Sequence, residues 1–148
     1  MNYKDLIENG INLARNGNFL EAENSFKSAI EKDKGLTDSY INLANVYIMQ
    51  KKIEQGINLL KTYLIDISFN QAIINHFWKI SQNFNREEKF FETISYFENS
   101  KSLNKSQMAY IYYLHGRYYA KSNDIELSIE YFKKSIFFDE LFTDSYIN

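Results

Sequence analysis

The chain has 148 residues, 45% of them hydrophobic, which is enough to build the core of one domain. Its net charge is −2 and its sequence pI is about 5.7, so the overall charge argues against nonspecific binding of nucleic acid. Cysteine is absent, which excludes a disulfide framework and a thiolate metal site. The start of the chain lacks the apolar core of a signal peptide, and no run is long enough to span a membrane, so a cytoplasmic location is expected.

The first predicted element is a pair of helices between Tyr3 and Lys34. Gly10 lies on the apolar face of the first helical pattern, and an apolar stripe from Phe19 to Ile30 marks the second. The segment Asn16–Asn18 between them contains residues that tolerate left-handed backbone. The pattern predicts an αα-hairpin in which the small residues Gly10 and Ala22 allow the two helix backbones to approach closely.

The same pattern returns three times along the chain. In the successive copies, the position of Gly10 is taken by Ala44, Ser81 and Gly116. The turns of these copies are predicted at Gln50–Lys52, Glu87–Glu88 and Ser122–Asp124. The displacement from the first copy to the fourth equals that of an identical hexapeptide, which occurs at Thr37–Asn42 and again at Thr143–Asn148. A period of this length indicates repeated supersecondary units that stack on one another.

This layout resembles the tetratricopeptide repeat, in which about 34 residues form two helices with small and aromatic residues at fixed positions. The resemblance covers essentially the whole chain, although the proline common near the end of each unit is missing and Tyr63 stands where alanine is usual. It implies an all-α fold, a right-handed αα-hairpin solenoid within a single domain of residues 1–148. The predicted units span residues 3–36, 37–70, 74–107 and 109–142, and residues 143–148 begin a fifth.

Nothing in the sequence supports a catalytic centre. His76 and His115 are the only histidines, and His115 falls at a packing position of the repeat. The sequence contains no glycine-rich phosphate loop, no metal-ligand spacing and no nucleophile motif. We therefore expect a protein that is not an enzyme and that uses no cofactor or metal.

The resemblance also assigns a concave groove to the inner side chains of the first helix of each unit. The candidate peptide-binding residues are Ile41, Asn45, Ile48, Trp78, Gln82, Arg86, Tyr110, Tyr113, Arg117 and Lys121. The first unit would add Lys4, Ile7, Glu8, Ile11 and Arg15 to the same wall, and Asp38 and Lys79 would join it further on. Trp, Tyr and Arg are common interface anchors, and basic residues outnumber acidic ones on this wall, so an acidic partner segment is expected.

The predicted function is a protein-interaction scaffold that receives a peptide or helix of a partner protein and binds neither nucleic acid nor membrane. Two alternatives remain open. The first is an assembly module that forms homo-oligomers through apolar residues at the C-terminal end, namely Phe137, Leu141 and Phe142. The second is a docking array of a longer enzyme, such as a glycosyltransferase.

Overall fold

The computed structural model describes residues 2–100 and 102–138, and within them the chain forms eight α-helices and no β-strand. In chain order the helices are α1 (Tyr3–Arg15), α2 (Phe19–Lys32), α3 (Thr37–Met49), α4 (Ile53–Asp66), α5 (Gln71–Asn83), α6 (Glu87–Glu98), α7 (Lys105–Lys121) and α8 (Ile125–Phe138). The predicted all-α secondary structure is therefore confirmed for the described residues. Leu141, Phe142 and the predicted start of a fifth unit at 143–148 lie outside them.

Each helical hairpin turns through one residue in the left-handed backbone region. These residues are Gly17, Lys51, Asn85 and Asn123, with φ angles of 79°, 62°, 54° and 60°. The first three are evenly spaced along the chain, and the interval before the fourth is longer. The added length lies in the fourth hairpin's first helix, because α7 has 17 residues whereas α1, α3 and α5 each have 13. The first three hairpins thus keep a constant period.

The turn between α5 and α6 lies three residues earlier than the sequence analysis predicted. The turn predicted at Glu87–Glu88 is wrong, because both residues belong to the first turn of α6 and the chain turns at Asn85. This segment is so rich in apolar side chains that two registers fit the repeat equally well. In the register of the structure, Trp78 takes the helix position of Gly10 and Ala44, which is a packing position.

The chain divides into two compact units, Met1–Glu87 and Glu88–Asn148. The core of the first unit contains Ala22, Phe26, Leu43, Val46 and Tyr47, against which partly buried residues of α1 pack. The second unit contains α7, α8 and α6 from its second residue onwards. The single domain over residues 1–148 stays a prediction.

Small residues are buried within the hairpins, as the sequence predicted. The five are Gly10, Ala22, Ala44, Gly56 and Gly116. A Cβ atom added to Gly10 would lie 2.8 Å from the ring of Phe26, and one added to Gly116 would lie 2.7 Å from the ring of Phe132. Glycine and phenylalanine stand at corresponding positions of the first and fourth hairpins, so the two contacts are copies of one packing arrangement.

A nearly buried carboxylate ties α2 to the turn between α3 and α4. Glu23 is 8% exposed and accepts hydrogen bonds from Lys27 Nζ at 2.7 Å, Gln50 Nε2 at 3.3 Å and Lys52 Nζ at 3.4 Å. Burial acts to raise the pKa of Glu23, but the hydrogen bonds from Lys27 and Gln50 together with the charges of Lys27 and Lys52 outweigh it and hold the pKa below its usual range. These partners therefore compensate the negative charge of Glu23, which would destabilise the fold if it were buried without them.

The packing at Ala22 gives a first testable prediction. Ala22 is 0% exposed, so Ala22→Leu should overpack the first hairpin and lower the free energy of unfolding by about 1–3 kcal/mol. Denaturant titration followed by circular dichroism measures the loss. Ala72→Leu is the matched control, because Ala72 is exposed on α5 of the same unit. Equal stability of the two variants would show that the hairpin is not closely packed at Ala22.

Candidate functional site

The first unit contains a cleft of about 620 Å³ between α1 and the segment that leads into α3. Its apolar lining includes the partly buried Ile7, Ile11 and Leu36. Exposed charged residues surround that lining, namely Lys4, Glu8, Arg15 and Asp38. An apolar cleft of this volume with a few polar groups around it is typical of a binding site. We call it the N-terminal cleft.

One wall of the N-terminal cleft is held in place by hydrogen bonds from outside it. The Tyr63 hydroxyl lies 3.1 Å from Thr37 Oγ1 and donates to the Gly35 carbonyl at 3.4 Å. Asn70 Nδ2 donates to Thr37 Oγ1 at 3.2 Å. Tyr63 is the residue that stands where the family usually has alanine, and here it supports the segment before α3. The departure from the repeat pattern therefore helps to shape the cleft before any ligand arrives.

A second cleft, of about 290 Å³, continues along the junction of α1 and α3. Its lining residues are Ile11, Ala14, Arg15, Phe26, Asn42, Asn45, Val46 and Met49. Ile11 and Arg15 line both this α1–α3 cleft and the N-terminal cleft. The two clefts therefore meet at these side chains, and we refer to them together as the paired clefts.

The position of Asn45 is fixed by the neighbouring helix α5. His76 Nε2 lies 2.8 Å from Asn45 Oδ1, which fits an imidazole that carries its hydrogen on Nε2 and donates to the amide oxygen. Burial, with Lys79 nearby, lowers the pKa of His76 from its usual value, so the ring is neutral at pH 7. This hydrogen bond holds the Asn45 amide at the edge of the α1–α3 cleft, and its oxygen already accepts the hydrogen of His76.

The charges of the N-terminal cleft balance one another. Lys4 and Arg15 are matched by Glu8 and Asp38, and among residues 2–100 and 102–138 none of the four forms an ion pair. The basic excess that the sequence suggested for the whole groove is therefore not found at this cleft. The α1–α3 cleft differs, because Arg15 is its charged lining residue.

The six predicted site residues of the first unit lie in different environments. Asn45 lines the α1–α3 cleft, whereas Ile48 Cδ1 would be 3.2 Å from a Cβ on Gly56 and so packs towards α4. Arg86 Nε donates to Glu54 Oε1 at 2.8 Å, in an ion pair at the start of α4. The remaining three are Ile41 and Trp78, both partly buried, and Gln82, which is exposed.

The other four predicted residues lie on α7 of the second unit. Tyr110 is only 8% exposed, so little of its side chain is open to a ligand. Tyr113, Arg117 and Lys121 follow at four-residue spacing, which places them on one face of the helix. The Arg117 guanidinium carbon lies 5.7 Å from the centre of the Tyr113 ring, within the range of a cation–π contact. We call these three residues the basic stripe.

His115 is a packing residue of the second unit, as the sequence predicted. Its ring is 3% exposed and stacks on Tyr131 at a centroid distance of 4.9 Å. Its Nε2 atom lies 3.4 Å from Glu98 Oε1. Burial, with Lys134 nearby, lowers the pKa of His115 to about 4, and burial raises the pKa of Glu98. The imidazole is therefore neutral at pH 7.

No helix in residues 2–100 and 102–138 has both the length and the apolar character needed to cross a bilayer. Within the same residues no three His, Asp or Glu side chains are grouped so that they could hold a metal ion.

Part of the chain matches a known protein family. Residues 13–68 match the tetratricopeptide repeat family. No curated protein sequence matches the chain. Among solved structures, MamA has a TM-score of 0.56 and 17% identity, over 97% of this chain and 76% of MamA. The pilF protein of Pseudomonas aeruginosa has a TM-score of 0.57 and 17% identity, over 97% of this chain and 64% of pilF.

A tetratricopeptide repeat protein from Parabacteroides merdae is similar to the same degree. Its TM-score is 0.57 and its identity 19%, over 98% of this chain and 56% of that protein. At these identities the similarity concerns the fold. Together with the family match over residues 13–68, it confirms the tetratricopeptide repeat recognised in the sequence and the all-α solenoid fold.

Proposed function

We propose that the chain is a non-enzymatic scaffold that binds a segment of a partner protein in the paired clefts. Repeat folds of this kind provide extended surfaces for protein interaction, and this role fits the family in general. The observation that supports the site is the continuity of two apolar clefts through Ile11 and Arg15, with four charged residues around the first. A partly buried apolar lining gives affinity, and charged groups around it orient the ligand.

The dimensions of the paired clefts suit a short peptide segment. The 13 residues of α1 extend about 20 Å at 1.5 Å per residue. An extended peptide of about six residues covers the same length at roughly 3.3 Å per residue. The wall that Tyr63 and Asn70 hold in place means that little ordering of the protein is needed on binding, which favours affinity.

The basic stripe supports a separate role for the second unit. Arg117 and Lys121 are exposed, and Arg117 lies against the ring of Tyr113. A planar guanidinium backed by an aromatic ring is well suited to carboxylate groups. The acidic partner segment expected from the sequence is thus better supported at this stripe than at the balanced N-terminal cleft, and we propose an anionic contact there.

The assembly alternative has one supporting observation among the described residues. Phe137 is 83% exposed near the end of α8, and exposed apolar side chains of this size mark interaction sites when they cluster. The other residues of the predicted apolar end, Leu141 and Phe142, lie outside the described residues. The chain spans 64% of pilF and 56% of the Parabacteroides merdae protein, and the docking array of a longer enzyme likewise stays a proposal.

Selection of peptides tests the proposed function. Random dodecapeptides displayed on phage are selected on the intact chain, and binding of the enriched peptides is measured by fluorescence anisotropy. Ile11→Glu and Met49→Glu should each weaken binding at least about tenfold, because each places a charge against the apolar lining. Met49 is 56% exposed, so its substitution leaves the packing intact.

The control for this selection is Ile129→Glu, at an apolar residue that is 48% exposed on α8. It should leave affinity unchanged, and circular dichroism should show equal helicity in all variants. Enriched peptides that bind the cleft variants as tightly as the wild type would refute the paired clefts as the binding site. The absence of any enriched peptide would count against peptide binding altogether.

A further inference from the structure

We infer that the paired clefts recognise a segment in which one acidic residue is flanked by two apolar side chains. The inference rests on the proposed function, since it states which chemistry the clefts select. The side chain of Arg15 lines both clefts at the point where they meet. An acidic side chain at the centre of a bound segment would face this guanidinium.

Arg15 is available for such a contact. The residue is exposed in the last turn of α1, and within residues 2–100 and 102–138 it forms no ion pair. A guanidinium can bind a carboxylate through two parallel hydrogen bonds, which gives direction as well as attraction. By contrast, Arg86 is already paired with Glu54 in the same unit.

The other charges restrict where an acidic residue can lie. Beyond Arg15 on the side of the N-terminal cleft, a carboxylate would meet the two negative charges of Glu8 and Asp38 and only one positive charge, that of Lys4. The α1–α3 cleft carries the amides Asn42 and Asn45 but no acidic lining residue. The position beside Arg15 is therefore the most favourable place for one negative charge, and a run of acidic residues along both clefts is disfavoured.

Each cleft offers an apolar surface for one flanking side chain. In the N-terminal cleft this surface includes Ile7 and Leu36, and in the α1–α3 cleft it includes Val46 and Met49. In an extended peptide, residues i, i+2 and i+4 point to the same side and span about 13 Å. An apolar, an acidic and a second apolar residue at these positions fit within the roughly 20 Å length of α1.

A designed probe tests this order of side chains. The probe is the fluorescein-labelled peptide Ser-Leu-Ser-Asp-Ser-Phe-Ser, with matched peptides that carry Asn or Lys in place of Asp, or Ser in place of Leu or of Phe. Binding to the intact chain is measured by fluorescence anisotropy at low and moderate salt. We expect the Asp probe to bind at least about tenfold more tightly than the Lys probe, because only the former pairs with Arg15.

Charge exchange separates recognition from a merely structural role of Arg15. Arg15→Glu should reverse the order of affinity, so that the Lys probe binds more tightly than the Asp probe. Lys32→Glu is the matched control and should leave the order unchanged, because Lys32 is an exposed basic residue in the last turn of α2 and lines neither cleft. A structural role for Arg15 would weaken binding of all the probes alike and would not reverse the order.

The outcomes distinguish this inference from the proposed function. If phage selection yields peptides that depend on Met49 while the Asp and Lys probes bind equally, the inference is wrong and the proposed function stands. If the probes bind but are unaffected by Met49→Glu and Arg15→Glu, both are wrong. If sedimentation shows a dimer that Met49→Glu dissociates, the occupant is a second copy of the chain and the inference is overturned.

Discussion

Phe26→Ala should lower the free energy of unfolding of the first unit by about 3–5 kcal/mol, because it removes a fully packed aromatic ring. Phe26 is 1% exposed and belongs to the core cluster together with Leu43 and Val46. Its ring also packs directly against Gly10 of α1, where the absence of a side chain leaves room for it. Truncation therefore removes contacts with two neighbouring elements at once.

The chain provides its own probe for this experiment. Trp78 is the only tryptophan and lies on α5 of the first unit, so its fluorescence during denaturant titration reports on that unit. Leu20→Ala is the matched control, since Leu20 is 64% exposed on the same helix as Phe26 and should change stability by less than about 0.5 kcal/mol. Similar losses in the two variants would contradict the packing of Phe26 described above.

A second substitution tests the contact with Gly10 directly. Gly10→Ala alone brings a Cβ to 2.8 Å from the Phe26 ring. This steric overlap should cost more than the gain of about 1 kcal/mol in helix propensity, so the single variant should be less stable than the wild type. In a Phe26→Ala background the ring is gone, so Gly10→Ala should then stabilise the hairpin. A double-mutant cycle with no coupling between the two sites would show that they do not touch.

Much of this fold could be predicted from the sequence because its repeat is carried by small residues. Gly10 and Gly116 are needed for the same ring contact in two hairpins, so they occur at corresponding positions and reveal the period. The turn at Gly17 could also be predicted, because glycine readily adopts the positive φ that this turn has, 79° in the structure. Asn85 turns the third hairpin in the same way, but glycine does not mark it.

The third hairpin was misplaced for a physical reason. The position that holds Gly10 in the first hairpin holds Trp78 in the third, so the small-residue signal is missing there. Apolar residues on both sides of Trp78 then allowed a register shifted by three residues. Arg86 shows the consequence, because the shifted register placed it in the groove and the structure pairs it with Glu54.

Three residues predicted for the groove of the first unit line one cleft, although their role in binding stays a prediction. Ile7, Ile11 and Arg15 were expected on the concave wall, and all three line the N-terminal cleft. The junction of the two clefts at Ile11 and Arg15 could not be predicted, because it depends on how α1 and α3 pack. Nor could the sequence show that Tyr63 supports the segment before α3, since that contact joins residues 26 and 28 positions apart.

Lowering the pH from 7 to 5 should destabilise the second unit through His115. The pKa of His115 in the folded chain is about 4, below its usual value of 6.5, because burial disfavours the charged ring. Between these values the unfolded chain binds more protons than the folded one. The stabilising contribution of the neutral ring is therefore complete above about pH 6.5 and is lost as the pH falls towards 4.

Between pH 6.5 and pH 5 the uptake of a proton on unfolding corresponds to an upper limit of about 2 kcal/mol, at 1.36 kcal/mol per pH unit. The groups that face His115 are Glu98 of α6, Tyr119 of α7, and Tyr131 and Lys134 of α8. Glu98 acts in the opposite direction, because its raised pKa makes the folded chain bind a proton more readily than the unfolded chain. It therefore offsets part of the loss as the pH falls below the folded pKa of its carboxyl group.

Urea titrations at pH 7, 6 and 5 measure this effect. His115→Phe keeps a ring against Tyr131 but cannot take up a proton, so its stability should depend less on pH than that of the wild type. Glu98→Gln removes the opposing carboxyl group and should make the acid loss steeper. Ile129→Ala is the control, because Ile129 is 48% exposed on α8 and its side chain takes up no proton. If wild type and His115→Phe lose stability equally between pH 7 and 5, His115 does not govern the acid response, and another group must bind the proton on unfolding.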